Sequence, residues 1–134
     1  MRYGRTIELG VPYEEALPRV RAAFQEQGFD RLTEIDVRQT LEEELGEEME
    51  DYVILGACHP RLASRALEID RAIGLVLPCN VVVRRSGAGG TVVQALDPDV
   101  MVRVPERSSL APIADEARRR IDAALGSLVA APIS

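Results

Sequence analysis

The sequence predicts an α+β domain built as a two-layer α/β sandwich, with a mixed sheet of about five strands. Three observations lead there. Apolar strand-like runs alternate with segments of helical spacing in the order β-α-β-α-β-α-β-β-α. The last two strands are joined by a glycine-rich turn rather than a helix. A chain of 134 residues is one domain's worth, too short for a three-layer doubly wound sheet with both faces well covered. The expectation is therefore a single domain over residues 1–134.

Residues 3–9 alternate, with Tyr3, Ile7 and Leu9 on one face, and read as the first strand. Tyr13, Leu17, Val20 and Phe24 then recur at helical spacing, and Gly28 stands where a C-terminal cap belongs. Tyr3, Tyr13 and Phe24 are expected in the core. Pro18 predicts an irregular first turn for this helix. Residues 29–36 read as the second strand, and Asp36 as the cap of a short helix carrying Val37, Leu41 and Leu45, with Gly46 past its end. The acidic stretch from Glu42 to Asp51 reads as a solvated helix face and loop.

Tyr52 to Cys58 is almost wholly apolar and reads as a central strand covered on both faces. Pro60 suits the first turn of a third helix marked by Ala63, Ala66, Leu67 and Asp70, with His59 just outside it. Leu75 to Val83 reads as another apolar strand, in which Pro78 demands an edge, a bulge or a strand start. Ser86 to Gly90 reads as the turn of a hairpin completed by Thr91 to Leu96. Although rich in glycine, this turn opens no helix and is not a phosphate cradle. Ser108 and Ser109 read as caps of the final helix. Leu110, Ala114, Ala117, Ile121, Leu125 and Leu128 form the apolar stripe of that helix, and Asp115–Arg119 and Glu116–Arg120 face outward at ion-pair spacing. The tail Ala130 to Ser134 is expected to fray.

Composition narrows the function. The net charge is −6, from 16 basic and 22 acidic residues, and all the basic ones are Arg. Without Lys there is no Schiff base and no Walker-type phosphate lysine. One His rules out a multi-histidine metal site within one chain. Scattered Arg among acids argues against nucleic acid as a partner. No apolar run approaches a membrane span, and no leader pattern is visible. The expected compartment is the cytoplasm, with both cysteines reduced. Because the two long apolar strands ask for cover on both faces and one helical layer supplies only one, a homodimer is expected.

Two groups of residues carry possible chemistry. Cys58, His59 and Cys79, with Asn80 beside them, lie at strand ends. Two soft thiolates and an imidazole suit Zn or Cu(I), and two chains could complete a four-ligand site. The cysteines could equally form a redox couple if the helix start at Pro60 activates Cys58, or pack as small hydrophobes. Thr33, Glu34 and Asp36 form the second group. Glu34 and Asp36 share a strand face, where paired carboxylates can hold a cation or exchange protons. Asp36 is equally a helix cap and Glu34 a solvent-facing residue or, beside Arg61 or Arg65, part of a polar pocket.

The strings GFDRLTEIDV (28–37), YVILGACHP (52–60), ALEIDRAIGLVLPCNVVV (66–83) and ALDPDVM (95–101) give the chain a resemblance. It resembles the bacterial and archaeal domain of unknown function 302 family, from about Val11 to Leu125. The resemblance implies a compact two-layer α/β fold that forms dimers, and it implies no activity. The family commonly has Asn after the first Cys; this chain has His59. The functional expectation is a homodimeric cytoplasmic binding domain for a small molecule or metal ion, with Cys58, His59, Cys79, Asn80, Thr33 and Glu34 at the site and no established catalysis. A thiol-dependent redox protein or enzyme using Cys58 or Cys79, and a purely structural interaction module, are the alternatives.

Overall fold

The computed structural model describes residues 3–130 apart from Pro78 and Ala88. Five strands form one sheet in the order β1-β5-β4-β3-β2: β1 (Gly4–Leu9), β2 (Arg31–Asp36), β3 (Tyr52–Cys58), β4 (Cys79–Arg85) and β5 (Thr91–Leu96). The helices are α1 (Tyr13–Glu26), α2 (Val37–Leu45), α3 (Pro60–Ile69), the short α4 (Val100–Arg103) and α5 (Ala111–Ala130), with 3-10 turns at Arg71–Val76 and Ser108–Leu110. The α+β class and the element order match the sequence reading.

The sheet is not mixed: every neighbouring pair is antiparallel. A parallel pair needs a crossover helix packed on the sheet face. The two helices that join neighbouring strands do not do this. α2 buries none of its residues, and α3 packs on α5 and the 3-10 turns. Both therefore sit at sheet ends, and the chain reverses instead of crossing over. Only α1 crosses the sheet, from the β1 edge to the β2 edge.

α1 and the second half of α5 cover one face. Val20, Phe24, Leu55, Val81, Val83, Val93 and Ile121 are buried there as the main core. Beyond the sheet end, α3, the 3-10 turns, α4 and the first half of α5 enclose a second cluster around Leu62, Ala66, Ile73, Met101, Leu110 and Ile113. α5, at 20 residues, spans both.

Several expectations are corrected at element ends. Leu75 and Val76 belong to a 3-10 turn, and β4 begins only at Cys79. The Asp70 side chain accepts from the Ala72 amide at 3.0 Å and keeps the chain turning. Ile73 then enters the second core while Leu75 is left 90% exposed. The expectation for Pro78 lies outside the described residues. Pro18 stands in the interior of α1, which starts regularly at Tyr13 because the Glu15 and Ala16 amides bond to the Pro12 carbonyl at 3.0 and 2.9 Å. Tyr3 precedes β1 and is 74% exposed. Ser108 and Ser109 lie in a 3-10 turn and α5 begins only at Ala111, so neither stands directly before that helix. Along α5, Glu116 pairs with Arg120 as expected, but Asp115 pairs with Arg118. Asp36 does cap α2, accepting from the Gln39 amide at 2.9 Å.

Candidate functional site

Strand register decides where each candidate residue goes. Ala57 stands opposite Cys79, so these two share the face that looks at the helices. Cys58, one residue on, belongs with Gly56 to the other face. Adjacent strands thus place the two cysteines on opposite sides of the sheet. Both ends lie at the same edge of the molecule, since β3 finishes where β4 starts. Thr33 and Asn80 both stand opposite Gly56, so they flank it on the open face, and both are exposed. Glu34 faces the helix layer, where its carboxylate is ion-paired with Arg21 of α1, not with Arg61 or Arg65. The six residues therefore do not form one site.

His59 joins two elements of the fold. It precedes Pro60, the first residue of α3, and its Nδ1 accepts a hydrogen bond from the Leu62 amide at 3.4 Å. Helix starts leave their first amides without partners, and this bond satisfies one of them. An accepting Nδ1 places the ring proton on Nε2. The ring meets Phe29 edge-on, with centroids 5.4 Å apart at 90°. Its Nε2 faces Gly28 so closely that a Cβ there would lie 2.5 Å away. Burial, followed by the positive charge of Arg120, holds the imidazole below its ordinary pKa; Asp30 opposes the shift.

Gly28 and Phe29 are placed by the end of α1. Gly28 has φ +92°. Its amide bonds to the Gln25 carbonyl at 3.0 Å, and the Phe29 amide to the Phe24 carbonyl at 3.1 Å. This is the paired-bond helix stop that favours glycine, with the accompanying apolar contact in the Phe24–Phe29 edge-on pair at 5.6 Å.

Between the two clusters lies a cavity of about 40 Å³. Phe29, Ala57 and Cys79 wall it from the main core; Leu62, Met101 and Ala117 wall it from the second. Cys58, His59 and Asp97 also contribute to its lining. The Cys79 thiol donates to the Leu96 carbonyl at 3.5 Å, and burial pushes its pKa up to about 12. It is a neutral thiol in an apolar wall. Burial works against ionisation of Asp97, but the Asp99 amide and Arg118 outweigh it and hold its carboxyl below the usual range.

Among the described residues no three His, Cys, Asp or Glu side chains come together as a metal-binding group. His59 spends Nδ1 on the helix start and presses Nε2 against backbone. Cys58 and Cys79 are both free and present no pair of thiols on one sheet face.

The other candidate surface is the open face of the sheet. Ile35, Ile54, Val82, Gln94 and Thr6 form one row across all five strands. Ile35 is 56% exposed. Tyr52, Arg84, Val92 and Glu8 form the next row. No described helix covers this face.

Sequence reading placed Cys58, His59 and Cys79 at a ligand site, and all three line this cavity; it did not see the remaining walls, which come from separated segments. It placed His59 at the helix start but did not see Gly28 beneath it. The one available signal was a glycine-aromatic pair after a helix, which marks a left-handed stop but not what leans on it.

The family model described as "Domain of unknown function DUF302" matches residues 5–128. The crystal structure of an uncharacterised conserved DUF302 protein from Bacillus stearothermophilus is similar, with a TM-score of 0.84 and 24% identity, covering 96% of this chain and 99% of that one. No curated protein matches the chain.

Proposed function

This chain belongs to the DUF302 family, and on that premise we propose that it is a small-molecule-binding domain whose ligand places an apolar group in the cavity between the two hydrophobic clusters. The cavity carries the reading. Well-packed interiors hold few voids larger than a water molecule, and this one lies where two separately packed bodies meet. Its walls are apolar, and its polar groups, His59 and Asp97, are few, as in ligand pockets generally. A cavity of about 150 Å³ accepts benzene or xenon. At about 40 Å³, this one takes a group of a few atoms, such as the end of a short chain.

Two further features complete the proposal. The protein is a homodimer through the open sheet face. Strand spacing and residue rise give a face roughly 24 Å by 20 Å, so two copies bury on the order of 1,000 Å², the lower bound of a specific interface. That face carries both Glu8 and Arg84, so a second copy meets no single-sign field. The compartment is the cytoplasm, supported by two free cysteines and consistent with the fact that no described helix is long and apolar enough to cross a membrane.

The test is a titration with xenon and with a series of short alcohols, read at the methyl groups of Met101 and Leu62 by NMR. Saturable shifts there, with Val82 on the open face unmoved, support the reading. Shifts that stay linear, or that fall on Val82 instead, sink it.

A further inference from the structure

The two clusters meet at His59, and its side chain belongs to both. Through Nδ1 it holds the first turn of α3, which supplies Leu62 and Ala63 to the cavity wall. Through its ring it lies against Phe29 and Gly28, at the end of the main core. We propose that His59 is a pH-sensitive latch on this cavity: neutral, it ties α3 to the sheet end; protonated, it lets go of the first turn and opens the seam. Regulation of ligand entry rests on the cavity reading above; the latch itself does not.

The bond geometry makes the device. Protonation puts a hydrogen on Nδ1, so an N–H then faces the Leu62 N–H and the helix loses its cap. Pro60 at the first helical position has no amide to offer. The Ala63 amide is already bound to the His59 carbonyl at 2.9 Å. The Leu62 amide is thus a first-turn donor with a side-chain partner to lose. The new charge also sits at the positive end of a ten-residue helix. From the packed elements, Arg120 of α5 and Arg61 of α3 itself repel it. Asp30, after α1, attracts it but is exposed. Across the cavity, Asp97 is engaged by Arg118 and the Asp99 amide. His59 is the sole histidine of the chain, and its ordinary titration range is the one that includes mildly acidic conditions.

Amide hydrogen exchange at about pH 5 and about pH 7.5, expressed as protection factors, tests the latch on the wild type and on His59→Asn. Asn is a good cap that does not titrate. In the wild type, protection of Leu62 should fall at least about fivefold on acidification, the weight of one cap, while Val83 in the sheet stays protected. In His59→Asn, Leu62 should hold its protection at both pH values. A wild-type Leu62 as flat as the variant's, or a fall shared equally by Val83, overturns the latch. Xenon exchange read at Met101 separates the two ideas. Faster exchange at low pH in the wild type alone supports gating of the cavity. A working latch with no saturable xenon site means that the cavity reading has failed and the latch stands. Saturable xenon binding with pH-independent exchange in the wild type overturns the gate.

Discussion

Gly28 lies directly beneath the His59 ring, leaving no room for a side chain: a Cβ at residue 28 would stand 2.5 Å from Nε2. The same glycine ends α1 at φ +92°. Helix stop and helix start are therefore built against each other, from residues 31 positions apart in the chain.

Gly28→Ala should accordingly cost more than a helix stop alone. The left-handed conformation costs a residue with a side chain about 1–2 kcal/mol. Displacing His59 adds the loss of its cap, about 1 kcal/mol. The urea midpoint should drop with an unchanged slope. In a double-mutant cycle with His59→Ala the two losses should be less than additive, because the second change removes the clash. Strict additivity would show that the ring does not rest on residue 28.

His59 should also make stability fall on the acid side. Its folded pKa is held below the unfolded value. Between the two, the unfolded state binds more protons, so stability rises with pH. Its contribution is full above the unfolded pKa near 6.5 and is lost as pH falls through the folded value. His59→Asn should match the wild type at neutral pH and exceed it in acid. Asn, like His, can accept from the Leu62 amide, so the cap survives the exchange. Urea midpoints across this range measure it, and parallel pH curves for the two proteins would refute the assignment.

How far the sequence spoke depended on whether a feature was local. The cap at Asp36 was legible because an acid before a helical run has a local use as a cap, and the limits of β3 because Tyr52 to Cys58 is bounded by charge and proline. The Leu75–Val83 run was misread as strand throughout. An apolar run without alternation does not say whether it faces a sheet or a second core, and Ile73 and Leu62 make that second core only in three dimensions. The parallel pairing implied by a mixed sheet failed for a similar reason. A helix between two strands does not reveal whether it lies across the sheet or off its end, and α2 lies off it. Cys58 and Cys79 read as one thiol pair from their strand ends; the register of Ala57 against Cys79 puts them on opposite strand faces, although both line the cavity.

Cys79 should be inert in the native protein. With its pKa pushed up to about 12 by burial, only about one molecule in ten thousand carries the thiolate at pH 8. A disulfide reagent should therefore modify no more than one thiol per native chain, and mass spectrometry should find that label on Cys58. Both should react after denaturation. Rapid labelling of Cys79 under native conditions would restore the redox alternative.

The open face offers the clearest test of assembly. Val82 stands in the middle of the Ile35–Ile54–Val82–Gln94–Thr6 row and is only partly exposed. A carboxylate there is tolerable in water but not against a second copy, where it would be buried without a partner. Val82→Asp should therefore keep the wild-type circular dichroism spectrum and sediment as a monomer, while the wild type sediments as a dimer. An unpaired buried charge costs several kcal/mol, so dimerisation should weaken by three orders of magnitude or more in affinity, about 4 kcal/mol. Glu8→Arg, at the rim of the same face, should weaken the dimer far less, since exposed ion pairs contribute about 0–1 kcal/mol. A monomeric wild type, or a Val82→Asp protein that still sediments as a dimer, would place self-association elsewhere and leave this face to another role.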